Sequence, residues 1–139
     1  MTAGFSGNEL VLSVFTAWFL SQVVLKILIV SYKKGKLFLS AGTKSGGMPS
    51  SHSTLVTSLA TAIGLSQGFH TPIFLVALVL AVITIYQVLL EKRVIARFFE
   101  EIAKEHPKKY ILEELGHNIT EVLAGIAIGI VVVLAFYYY

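Results

Sequence analysis

The chain has 139 residues, 55% of them hydrophobic and 14% charged, with a formal net charge of +3. Together with a mean hydropathy of +0.78, this excludes a soluble domain, in which about a quarter of residues are charged, and suits one integral membrane domain over residues 1–139. The absence of cysteine excludes a disulfide framework and a cysteine-based metal centre.

Met1 to Glu9 has neither the basic start nor the small-residue cleavage pattern of a secretory signal, so the first apolar run is expected to stay in the mature protein. That run, Leu10 to Tyr32, is long enough to cross a hydrocarbon core, which takes about 20 residues of helix. Its interruptions are Ser13, Thr16, Ser21, Gln22 and Lys26. Lys26, near the basic end, is read first as snorkelling to the interface; the other reading has it facing a polar cavity. The loop from Lys33 to Lys44 is basic and contains no acid.

It leads into Gly46-Gly47-Met48-Pro49-Ser50-Ser51-His52-Ser53, a small, polar, glycine-rich stretch feeding an apolar segment. The glycines free the backbone and Pro49 suits a first helical turn. The resulting helix N-terminus presents N–H groups and a positive dipole end, which favour anions and phosphate above all. A serine-capped helix with an incidental histidine explains the same residues, so the choice rests on partners elsewhere.

The second run, Thr54 to Leu65, is short and rich in small residues, which lets helix backbones approach closely and predicts a central helix enclosed by the others. Ser66 to Pro72 reads as a tight turn, with His70 an exposed turn residue. The third run, Ile73 to Leu90, is a clear span. Beyond Glu91 the pattern becomes amphipathic: Val94, Ile95, Phe98, Phe99 and Ile102 alternate at helical spacing with Arg97, Glu100, Glu101 and Lys104. This helix is expected to leave the membrane or lie along its surface until His106-Pro107, and Lys108 to Leu115 reads as a second amphipathic piece stopped by Gly116.

The last run, Asn118 to Tyr139, is a full span with an aromatic end suited to the interface. Asn118 and Glu121 have capping-box spacing, and Gly125 with Gly129 marks a close helix–helix contact, inside the bundle or between protomers. The fold expected is therefore an all-α integral membrane helical bundle with four main crossings and a short amphipathic cytoplasmic helix. So few helices enclose little volume, which favours a homodimer. The loops Tyr32 to Ser53 and Glu91 to His117 hold ten of the eleven Lys and Arg residues. By the positive-inside rule both are cytoplasmic and both termini lie outside, in a cell inner membrane.

His52 and His117 consequently start apolar helices at one membrane face. His117 and Glu121 are four apart, so the carboxylate can accept from one ring nitrogen while the other points outward, leaving an oriented imidazole fit to act as nucleophile or base. The same row continues through Gly125 and Gly129, so the natural partner of this face is the small-residue helix after His52. Lys26 and Lys33 on one side, and Lys92 and Arg93 on the other, would supply cations. Two histidines, a carboxylate and fixed cations at a helix N-terminus suit phosphoryl transfer, in which positioning and charge stabilisation carry most of the catalysis.

These residues resemble the divergent branch of the type 2 phosphatidic acid phosphatase and vanadium haloperoxidase superfamily, over about Gln22 to Gly129. The first superfamily motif, Lys, six residues, Arg-Pro, is matched in spacing by Lys26 and Lys33, with Lys for Arg and no proline; the second, Pro-Ser-Gly-His, by Pro49-Ser50-Ser51-His52, with Ser for Gly. The third, Ser-Arg, five residues, His, three residues, Asp, is matched in its later half by His117 and Glu121, with Glu for Asp. The resemblance implies that His117 attacks phosphorus to form a phosphohistidine, Glu121 orients it and His52 protonates the leaving oxygen. It also implies that Lys26, Lys33, Lys92, Arg93 and the loop around Ser50 and Ser51 hold the phosphate, with no metal or cofactor. The chain departs from the pattern at Ile111, where the motif has arginine, and over Gln87-Val88-Leu89-Leu90-Glu91-Lys92-Arg93, where an Asp-Ala-x-Gly-Val-Arg-Arg-like stretch is expected and the basic pair is kept but the acid and the glycine are not.

The function expected is hydrolysis of a lipid phosphate or pyrophosphate at the cytoplasmic face, with membrane lipids as surroundings and no nucleic-acid partner. The alternative is a catalytically silent anionic-lipid-binding or scaffold protein that retains the phosphate pocket. No convincing inverted repeat of broken helices supports a transporter.

Overall fold

The computed structural model describes residues 6–37, 39, 47–105 and 118–139. All regular elements among them are helices. The first is a rod of 28 residues, Gly7–Lys34, made of α1 (Gly7–Phe19), a π-helical segment (Leu20–Leu25) and α2 (Lys26–Lys34). Ser6 starts it through a capping box: its Oγ accepts from the Glu9 N–H at 3.3 Å, and the Glu9 carboxylate accepts from the Ser6 N–H at 2.7 Å. Gly35, at φ +63°, ends it in the left-handed conformation that glycine adopts without steric cost.

Three further helices follow: α3 (Ser51–Gln67), α4 (Pro72–Glu105) and α5 (Ile119–Tyr138). Gly7–Lys34, Pro72–Ile95 and Ile119–Tyr138 are each long and apolar enough to cross a membrane. The 34 residues of α4 reach about 50 Å at 1.5 Å per residue. This exceeds a hydrocarbon core of about 30 Å, so the amphipathic segment to Glu105 continues the span as one helix. The amphipathic piece expected over Lys108 to Leu115 lies outside the described residues.

Helix α3, with 17 residues, spans only about 25 Å and sits at the centre, packed against the first rod, α4 and α5. Ser51, Ser53, Thr54, Val56, Ser58, Ala60, Ala62 and Gly64 are all buried. These positions cover most of its circumference, which is what enclosure requires and small side chains permit. The tight turn Gly68–Thr71 makes α4 antiparallel to α3, and Phe69 and Phe74 meet edge to face there at 5.1 Å. His70 is an exposed turn residue, as its sequence context predicts.

Helices α3 and α5 run parallel, and the two-glycine motif is their contact inside the bundle. A Cβ built on Gly125 would meet the Ser50 carbonyl oxygen and then Thr54 Oγ1, while one on Gly129 would come within 2.8 Å of the Thr54 carbonyl oxygen. Without a hydrophobic driving force between helices in lipid, such van der Waals contact and hydrogen bonding hold the bundle together. The opposite faces are apolar and open: Val11 and Phe15 on α1, Val76 and Val82 on α4, Leu123 and Val131 on α5. They are the faces a bilayer would solvate.

Candidate functional site

The site begins with a register change. Along the first rod the buried residues are Ser13, Ala17, Ser21 and Lys26, spaced four, four and then five. In an unbroken α-helix five residues turn through about 500°, which would leave Lys26 roughly 140° away from the face of Ser21. The π-helical turn between them takes up the extra residue and brings Lys26 back onto the buried face.

Lys26 is accordingly 3% exposed, and the snorkelling reading is corrected. Its ammonium donates to Gln22 Oε1 at 3.4 Å and interacts electrostatically with Glu121. The sequence puts the lysine near the basic end of an apolar run, where snorkelling is the default; the π-turn overrides that default by rotating the side chain inward. Its stem passes beneath the incoming loop, since a Cβ built on Gly47 would stand 3.9 Å from Lys26 Cε. Gly47 itself is at φ +84°, so glycine is needed there for conformation.

That loop delivers the N-terminus of α3. Ser50, not Pro49, is the helix boundary: Pro49 is buried ahead of the cap rather than placed in the first turn, because the Ser50 side chain takes the capping role. Ser50 Oγ accepts from the Ser53 N–H at 3.4 Å and lies 3.0 Å from Ser53 Oγ. Its own N–H donates to the Glu121 carbonyl oxygen at 3.0 Å, tying the start of α3 to the first turn of α5. The Ser51 hydroxyl donates to Gln22 Oε1, and Thr54 Oγ1 shares hydrogen bonds at 3.0 Å with Ser21 Oγ and the Ser50 carbonyl oxygen. A Ser50→Ala variant is expected to lose about 1 kcal/mol of stability, read as a lowered unfolding midpoint in detergent; an unchanged midpoint would show that the Ser50 side chain does not stabilise the start of α3.

The other expected site residues distribute around this centre. His52 lies in the first turn of α3 and is exposed. Glu121 lies in the first turn of α5, where its carboxylate accepts from the Asn118 N–H at 2.9 Å, so the capping role read from the sequence is present. His117, next to Asn118 in the sequence, is outside the described residues, as is the side chain of Lys92. Lys33 is exposed, seven residues beyond Lys26 and hence about 10 Å further along the helix. Arg93 is exposed on α4. The described structure thus brings Lys26, Ser50, Ser51 and Glu121 together at one end of the bundle with His52, and leaves Lys33 and Arg93 at the surface.

Sequence reasoning gave no role to Ser21, Gln22 and Thr54, the polar residues that join the first rod to α3. One signal was available: Ser21, Gln22 and Lys26 are consecutive polar interruptions of an apolar run. In a bundle such residues face the interior, where their hydrogen bonds can be made. Chemically, the assembled end offers a buried ammonium, a helix N-terminus and a nearby carboxylate, a set that can hold an anion and orient groups around it. An apolar cleft lies further along α3, between α3, α4 and α5, lined among others by Thr57, Thr61, Ala81, Ile85 and Ile126.

A model of the divergent PAP2 family matches residues 6–132. The chain is 33% identical over 152 residues to the uncharacterized membrane protein YuiD of Bacillus subtilis (strain 168), an alignment covering 95% of this chain and 96% of that protein. No solved structure matches it.

Proposed function

The chain belongs to the divergent PAP2 family, and from that membership we propose that this PAP2-related membrane protein hydrolyses a lipid phosphate or pyrophosphate. The observation that carries the reading is the convergence of buried Lys26 with the N-terminus of α3 and Glu121 of α5. Lys26 and the α3 N–H groups hold the phosphate, and the cations of Lys33, Lys92 and Arg93 attract it. His117 attacks phosphorus: a bond forms from its ring nitrogen as the bond to the leaving oxygen breaks, and His52 gives that oxygen a proton. Water then gives a proton to the deprotonated His52 and attacks the phosphohistidine; the P–N bond breaks, phosphate leaves, and His117 and His52 are both restored. Glu121 orients His117 throughout. The lipid tail stays in the apolar zone below, where the cleft bounded by Thr57 and Ile85 lies, and the basic loops put the reaction at the cytoplasmic face.

The test is phosphate release by the purified full-length protein from a panel of lipid phosphates and diphosphates in mixed micelles. Release by the wild type and none by His117→Ala is expected; equal release by both overturns the mechanism. The commitment of the Ser50 and Ser51 hydroxyls to internal partners and of the Glu121 carboxylate to a cap favours one second reading, a phosphate-holding membrane protein without turnover. Saturable binding of the same lipids without release would select it.

A further inference from the structure

We propose that Gln22 is a positioning residue for the phosphate site: it sets the Lys26 ammonium and the Ser51 end of α3 against each other so that both face one anion. The inference rests on the reading of that end of the bundle as a phosphate site. One oxygen, Gln22 Oε1, accepts from both Lys26 Nζ and Ser51 Oγ. An ammonium has no acceptor capacity, so the carbonyl side of the amide must face it, and the same oxygen fixes the hydroxyl of the first residue of α3. Gln22 belongs to the π-helical segment, and the next buried residue of the rod after Ser21 is Lys26 itself. The π-turn therefore presents Ser21 and Gln22, adjacent in sequence, to two successive points on α3, Thr54 and Ser51. π-helical turns recur at functional sites, and here the turn aims a charge.

A neutral partner is required for that task. The amide oxygen orients the ammonium and leaves its charge available to a bound phosphate. A carboxylate in its place would keep both hydrogen bonds and, added to the Glu121 carboxylate that already acts on Lys26, would outweigh the single positive charge a phosphate needs. This separates positioning from mere packing, because Gln22→Glu preserves acceptors and near-identical volume.

The experiment measures inorganic phosphate binding to the full-length protein in detergent by isothermal titration, for the wild type, Gln22→Glu, Gln22→Leu, Lys26→Met and the double variant Gln22→Leu with Lys26→Met; thermal unfolding of each is recorded alongside. Gln22→Glu is expected to unfold at the wild-type temperature and to bind phosphate at least about tenfold more weakly, because its carboxylate competes for the ammonium. Gln22→Leu is expected to weaken binding similarly, and the double variant to bind no more weakly than Lys26→Met alone, the non-additivity expected of residues acting through one group. Wild-type affinity in Gln22→Glu, or losses that simply add in the double variant, would overturn the positioning role and leave the proposed function standing. Absence of binding by the wild type would overturn the phosphate site and this role with it.

Discussion

Alanine at Gly125 is expected to cost about 3 kcal/mol of stability, at the upper end of what overpacking usually costs, whereas alanine at Gly7 should leave stability nearly unchanged. The Cβ at position 125 would overlap the Ser50 carbonyl oxygen, with Thr54 Oγ1 at 3.1 Å and Ser53 Cβ at 3.2 Å. That carbonyl accepts both the Thr54 N–H and the Thr54 hydroxyl, each at 3.0 Å, so it has no freedom to swing aside. Helix α5 would have to withdraw, stretching the hydrogen bond from the Ser50 N–H to the Glu121 carbonyl oxygen. Gly7 meets nothing within 4 Å and serves as the control for glycine replacement in a helix. Unfolding midpoints in detergent measure both; equal stability of the two variants would show that α3 and α5 do not pack through Gly125.

The second large effect concerns chemistry. Removing the proposed nucleophile with His117→Ala should lower phosphate release by about three orders of magnitude or more, because the covalent route is lost entirely. Phosphate binding should persist, since Lys26 and the α3 N-terminus remain. Glu121→Gln separates the two roles of that side chain. The amide oxygen can still accept from the Asn118 N–H, so the cap survives, and any stability lost reports the carboxylate charge removed from beside buried Lys26. If Glu121 orients His117, turnover should nonetheless drop by roughly a hundredfold or more. Unchanged turnover in Glu121→Gln would confine the residue to capping α5.

Much of the framework was legible in the chain because it depends on local pattern. Apolar runs give spans, the small residues from Thr54 to Gly64 give a central helix, and the Gly125–Gly129 spacing gives a close contact on one face. Asn118 with Glu121 gives a cap. Each needs only helical periodicity and the demands of lipid as solvent. The same logic puts the starts of α3 and α5 at one end, because alternating crossings leave no other choice.

Composition and periodicity by themselves therefore determined an all-helical membrane protein, its central helix and the residue types gathered at one end. What only the tertiary structure decided was the aim of individual side chains. A single π-helical turn, invisible in a run of apolar residues, rotated Lys26 from the interface into the bundle and made Gln22 its partner across to Ser51. Periodicity assumes a constant helical register; one extra residue in one turn breaks that assumption, and the outcome is fixed by which rotation lets a buried charge and the start of α3 satisfy each other.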